Sequence, residues 1–300
     1  MSNNCADKDV KNAKLIHQCE TAFATSLEKI AEDIFQKEEL HMVLLTGPTC
    51  AGKTTTANLL ERYFSERGRR ILPVSIDDFY HDHDRLEEIS KRKGLEDIDY
   101  ESVDTIDLDA LRIFTEEMVH SDEVHSPIFD FRKACRTGYR SIRIRKGDLF
   151  LFEGIQVLYP EIMKLFAAHG VVSIYIAPRR HLSTKGATFS PNEIRLMRRI
   201  VRDADFRATP PEKTFDIWDG VRRNEELNIF PYAETCDYQV DSTMDYELGI
   251  LAPHLKKLLP TVPKDSVFYA NAREILLKLE GVDPISDELI LPWMLYKEFV

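Results

Sequence analysis

The residues best suited to chemistry stand in Gly47-Pro48-Thr49-Cys50-Ala51-Gly52-Lys53-Thr54-Thr55, which satisfies the pattern G-x-x-x-x-G-K-[ST]. In such a loop the backbone N–H groups surround the phosphates of a nucleotide. Gly47 and Gly52 allow backbone angles and a close approach that a Cβ forbids. The N–H groups that open the following helix face outward with the positive end of its dipole behind them, which makes an anion site. Lys53 is expected to reach the β- and γ-phosphates as a point charge, and the Thr54 hydroxyl to take one Mg²⁺ position.

Acids stand where such a site needs them. Glu153 closes the run Leu149-Phe150-Leu151-Phe152-Glu153, a place from which it can hold Mg²⁺ directly or through water. Asp77 and Asp78 follow another apolar run, and a carboxylate near a γ-phosphate can take the proton of an attacking hydroxyl. The residues by themselves leave the choice between these two open. Arg195, Arg198, Arg199 and Arg202 recur at i, i+3, i+4 and i+7, so they share a helix face, with Arg207 beyond. Residues 195–207 hold five arginines against two acids, Asp203 and Asp205, in a chain of net charge −11. A basic concentration against the global charge suits bidentate phosphate contacts, carried on a lid. Arg132 and Arg136 adjoin the aromatic pair Phe129 and Phe131 and are expected with it to line a substrate pocket, whereas Arg143 and Arg145 alternate with Ile142 and Ile144 as solvent-facing strand residues. His81, His83, His120 and His125 form no metal-ligand pattern.

These residues need a sheet and helices to bring them together. Short apolar runs at 42–45, 70–76, 148–154, 171–177 and 236–240 predict strands, and helical spacing predicts helices over 54–67, 104–120, 191–206, 211–229 and 265–280. Leu15, Ile16, Cys19, Phe23, Leu27, Ile30 and Ile34 predict one long amphipathic helix that docks on the domain or on a second subunit. Residues 81–103 show charge without period and predict a mobile loop, and 126–131 with 141–145 predict two short strands around Gly138. The fold class expected is α/β: a doubly wound, mainly parallel sheet with helices on both faces and an arginine-rich lid. The organisation expected is an N-terminal helical extension (1–40), a central domain (41–260) and a C-terminal helical extension (261–300).

Composition narrows the partners. A net charge of −11 and a pI near 5.4 argue against coating a nucleic-acid backbone but leave room for a small phosphate ligand. The five cysteines are odd in number and nowhere spaced C-x-x-C, which predicts no disulfide framework and no zinc site. No leader-like apolar segment and no membrane-length uncharged run are present, so a cytoplasmic protein, with no membrane partner, is expected.

Taken together, GPTCAGKTT, SIDDFY, PIFDFRKACR, LFLFEGIQVLYPEI and the long stretch from EIRLMRRIVRDADF to NIFPY, followed by CDYQVDS, resemble the uridine kinase and phosphoribulokinase group of P-loop kinases, closest to a bacterial uridine-kinase-like branch. The resemblance spans about residues 41–250 and implies a P-loop NTPase fold using ATP and Mg²⁺. It implies Asp77 as the catalytic aspartate, Tyr80 as a pocket aromatic, Glu153 as the metal-associated acid, and Arg195 and Arg198 as arginines on substrate and phosphates. It also sets Glu101 where the family holds ribose hydroxyls. Phe129 and Ala134 depart from the tyrosine and histidine that read a pyrimidine base in uridine–cytidine kinases. The expected activity is transfer of the γ-phosphoryl group to an alcohol, foremost the 5′-hydroxyl of uridine or cytidine, by a possible homo-oligomer. The alternatives are a same-fold kinase for another sugar, polyol or vitamin alcohol, and a non-catalytic nucleotide-binding switch; the chain has no N-K-x-D guanine-reading motif.

Overall fold

Five strands, β1 (Met42–Thr46), β2 (Ile71–Ser75), β5 (Leu149–Glu153), β6 (Val171–Ala177) and β9 (Tyr238–Asp241), form a sheet in the order β2-β5-β1-β6-β9, every neighbouring pair parallel. The computed structural model describes residues 2–37, 39–95, 98, 100, 102–167, 169–184 and 186–300, with side chains from residue 7 onward. Strands covered on both faces are apolar without alternation. Accordingly Val43 and Leu45 of β1 enter one hydrophobic cluster, while Met42 and Leu44 enter another on the opposite face. β5 divides the same way, Leu149 and Leu151 against Phe150 and Phe152.

The helices are α1 (Ser2–Phe35), α2 (Lys53–Glu66), α3 (His83–Lys93), α4 (Leu108–His120), α5 (Pro160–Phe166), α6 (Pro191–Arg207), α7 (Pro211–Asn228), α8 (Phe230–Ala233), α9 (Glu247–Leu258) and α10 (Tyr269–Lys278). Residues from α1, α2, α6, α7 and α9 share the cluster with Val43, and residues from α4 and α5 share the other. Two short pairs complete the strands: the antiparallel hairpin β3 (Glu123–Asp130) with β4 (Cys135–Arg143), and β7 (Leu182–Ser183) with β8 (Thr188–Phe189). Strand order reverses beside β1, whose neighbours are β5 and β6, and a ligand crevice opens beyond the carboxyl ends at such a point.

α1 and residues 294–299 pack into this core. Ile16, Phe23, Leu27, Ala31 and Ile34 of α1 are buried with Met294, Leu295, Tyr296 and Phe299 in the cluster that backs β1. Cys19, Cys50, Cys135 and Cys236 are free thiols. Among the described residues no helix is long and apolar enough to cross a membrane.

Two local expectations are corrected, and α9 was not anticipated. Residues 83–93 form α3 and not part of a mobile loop: only Leu86 and Ser90 of it are buried, so no apolar period marks it, and Gly94 ends it at φ 70°. The hairpin turns at 131–134, where Ala134 takes φ 50°, while Gly138 sits within β4 opposite Ile128. α9 escaped the periodicity because buried residues run consecutively from Glu247 to Ala252.

Candidate active site

The chain leaves β1 at Thr46, passes through 47–52 and enters α2 at Lys53. Space explains both glycines. A Cβ on Gly47 would stand 2.1 Å from the Ile176 carbonyl oxygen, and one on Gly52, at φ 100°, 2.6 Å from Leu295 Cδ1. Cys50 holds φ 56° without being glycine, a conformation that persists only where the surroundings fix it. Here they do: Arg198 Nη1 donates to the Cys50 carbonyl (3.2 Å), and Arg195 Nη1 to that of Thr49 (3.3 Å).

In front of the loop lies a cavity of about 600 Å³. Thr49, Cys50, Lys53 and Thr54 form one wall; Asp77, Tyr80, Phe131 and Glu153 another; Arg199, Arg202, Arg207 and Glu298 close it. Lys53 Nζ arches over the loop and donates to the carbonyls of Gly47 (2.9 Å) and Pro48 (3.1 Å). Glu153 ends β5 level with Leu45 of β1 and Ser75 of β2, and accepts from the Ser75 hydroxyl at 2.9 Å. The Thr54 hydroxyl and the Glu153 carboxylate on one cavity suit Mg²⁺, which takes one or two protein oxygens and completes its shell with water and phosphate.

After β2 a turn of 3₁₀ helix, Ile76–Phe79, buries Ile76 and Phe79 and so sends its two acids apart. Asp77 lines the cavity. Asp78 accepts from the Phe129 N–H at 3.3 Å; burial pushes its carboxyl up, opposed by that N–H and by Arg140 and reinforced by the charge of Glu153. The structure therefore separates two acids that composition could not.

Tyr80 donates to the Tyr100 carbonyl (3.1 Å) and accepts from Gln156 Nε2 (2.9 Å). Its ring meets Phe129 and Phe131 edge-on, at 5.7 and 6.2 Å between centroids, and those two stand 5.1 Å apart. The trio makes an aromatic wall whose hydroxyl is fixed from behind.

The arginine stripe divides. Arg195 and Arg198, expected on substrate and phosphate, are 1% and 0% exposed. Glu225 of α7 pairs with Arg195 in a two-point contact of 2.6 and 2.8 Å, and Glu247 of α9 takes Arg198 at 2.9 Å, with the Tyr296 hydroxyl 3.1 Å from Arg198 Nε. A desolvated guanidinium needs such a carboxylate, so both point into the core and brace the loop from behind. Arg199 and Arg202 reach the cavity instead, both bonded to the buried Asp203. Arg136 pairs with Asp107 (3.2 Å) and is not among the residues that line this cavity. Glu101 lies outside the described residues. Glu225, Glu247 and Glu298 were not anticipated, since nothing in their local sequence marks which acid of a charged stretch is buried or turned to the loop.

Comparison with known proteins bears on family and fold. A family model described as phosphoribulokinase / uridine kinase matches residues 42–248. Similar proteins include a uridine kinase of Lactobacillus helveticus (strain DPC 4571), 25% identical over 177 residues, 59% of this chain and 74% of that one. Uridine-cytidine kinase C of Dictyostelium discoideum is 24% identical over 213 residues, 71% of this chain but 41% of that one. Among solved structures, that of the YGR205w protein superposes with a TM-score of 0.51 at 16% identity, covering 70% of this chain and 87% of that one, a likeness of fold. The loop, the strand order and the match over more than half its length carry one conclusion: the chain belongs to the phosphoribulokinase / uridine kinase family.

Proposed function

We propose that this chain is a Mg²⁺- and ATP-dependent kinase for a small alcohol, with the 5′-hydroxyl of uridine or cytidine as the first acceptor to test. The observation that carries it is the convergence of Lys53, Thr54, Asp77 and Glu153 on one cavity, with Arg199 and Arg202 opposite. A nucleotide binder has no need of an acid beside its phosphate loop to take a hydroxyl proton; a kinase does.

In this reading the loop N–H groups and Lys53 hold the phosphates, and Thr54 and Glu153 hold the ion, whose bound charge offsets that of the phosphates. Asp77 accepts the proton of the acceptor hydroxyl as its oxygen bonds to the γ-phosphorus and the bond to the β-phosphate oxygen breaks. Arg199 and Arg202 take the role first expected of Arg195 and Arg198, facing the charge on the transferring group. Tyr80 and Phe131, which line the cavity with Phe129 packed against both, suit a flat ring on the acceptor.

A second reading, another sugar, polyol or vitamin alcohol, is favoured by Phe129, which offers a hydrocarbon edge where uridine–cytidine kinases have a polar reader, and by Ala134. ADP release with Mg²⁺–ATP and a panel of nucleosides, sugars and polyols separates them. Turnover confined to pyrimidine nucleosides is expected; turnover with a different alcohol moves the assignment to the second reading, and none with any acceptor contradicts both.

A further inference from the structure

The C-terminal turn Leu295–Glu298 is seated against the phosphate loop by groups from three elements. The Leu295 N–H donates to Glu20 of α1 at 3.2 Å, and the Tyr296 hydroxyl is held between Glu247 of α9 and Arg198 of α6. The Leu295 side chain fills the space that a Cβ on Gly52 would need. Leu295, Tyr296 and Phe299 are wholly buried, so this seat is part of the core.

From that seat Glu298 reaches the start of α2. Its Oε2 accepts from the Thr55 N–H at 3.3 Å and from the Thr55 hydroxyl at 3.2 Å, and its side chain borders the same cavity as Lys53, Thr54 and Arg202. The N–H groups that open α2 are the donors a phosphate chain requires. A carboxylate of the chain itself therefore occupies a donor of the anion site, and two anions cannot share it without cost.

Resting on the nucleotide-binding reading above, we propose that Glu298 is a donor-site residue that competes with the nucleotide for Thr55: the carboxylate must swing away before the phosphates can settle, and so it weakens nucleotide binding. The seat of the turn stays; only the side chain moves. Glu298 thereby sets the threshold of donor concentration at which the site fills.

The test is calorimetric titration of the full chain with ADP and with ATP, each with Mg²⁺, for wild type, Glu298→Gln and Glu298→Ala, with the exposed neighbour Lys297→Gln as control. Removing the charge is expected to tighten both nucleotides by about tenfold, the scale of one charge-assisted hydrogen bond. Lys297→Gln should bind as wild type does, and unchanged nucleotide-free melting temperatures confirm that the variants fold. If wild type binds and neither Glu298 variant binds more tightly, the competition is overturned while the nucleotide reading stands. If no form binds either nucleotide, the nucleotide reading falls and the competition with it.

Discussion

Glu225 shows how much one buried carboxylate can organise. Its oxygens accept from both terminal nitrogens of Arg195, from Arg222 (2.7 Å) and from the Thr49 N–H (3.4 Å), while Arg195 donates to the Thr49 carbonyl. One residue of the loop is thus gripped at its N–H and its C=O by a pair whose side chains are both buried. Neutralising one partner strands the other charge out of water, which costs about 3–5 kcal/mol, whereas replacing both by apolar groups of similar size costs far less. Glu225→Gln should therefore lower unfolding stability by that amount in urea denaturation, and the double change Glu225→Leu with Arg195→Met should recover much of it. Equal losses in both would show that the pair, and not the stranded charge, dominates. The residue types of this site were legible in the sequence, but the division of the arginine stripe was not. It depends on carboxylates 30 and 49 residues away from the guanidinium groups they hold.

At the scale of elements, the hairpin β3–β4 is tied to the start of α4 by Asp107. Asp107 caps α4 by accepting from the Ala110 N–H at 2.9 Å, and it also takes Arg136 of β4 at 3.2 Å. Burial works to raise its carboxyl, and the Ala110 N–H, the Arg136 guanidinium and nearby His81 outweigh it, leaving the pKa below its ordinary value. A depressed folded-state pKa means stabilisation that is complete above the ordinary value of about 3.9 and is lost as pH falls through the depressed one. Asp107→Asn is accordingly expected to destabilise the protein at pH 6 and to differ less from wild type near pH 3, as read by urea midpoints at both pH values. A difference independent of pH would remove the charge from the account of this tie. Strands with continuous apolar runs were legible because both sheet faces are covered. α3 was not, because a helix with two buried residues leaves charge on nearly every side, and its support comes from pairs such as Lys91 with Glu87.

Across the whole molecule, the sheet order brings the ends of β1, β2 and β5 side by side, and this alone gathers the phosphate loop, Asp77 and Glu153. That gathering was legible, since each motif sits at the end of a strand-like run. The reach of Glu298 was not: it meets Thr55 across 243 residues, and no local pattern marks such a contact. α1 and the C-terminal turn form one packed back for the loop, linked by Glu20. The account rests on Asp77 readying an alcohol beside phosphates held by Lys53. Its most direct test is a single-turnover measurement of phosphoryl transfer by Asp77→Asn with Mg²⁺–ATP and the acceptor found from the panel, together with the ATP dissociation constant. The prediction is a rate lower by about 10²–10⁴, the usual contribution of a general base, with ATP binding unchanged; transfer at the wild-type rate would contradict the account.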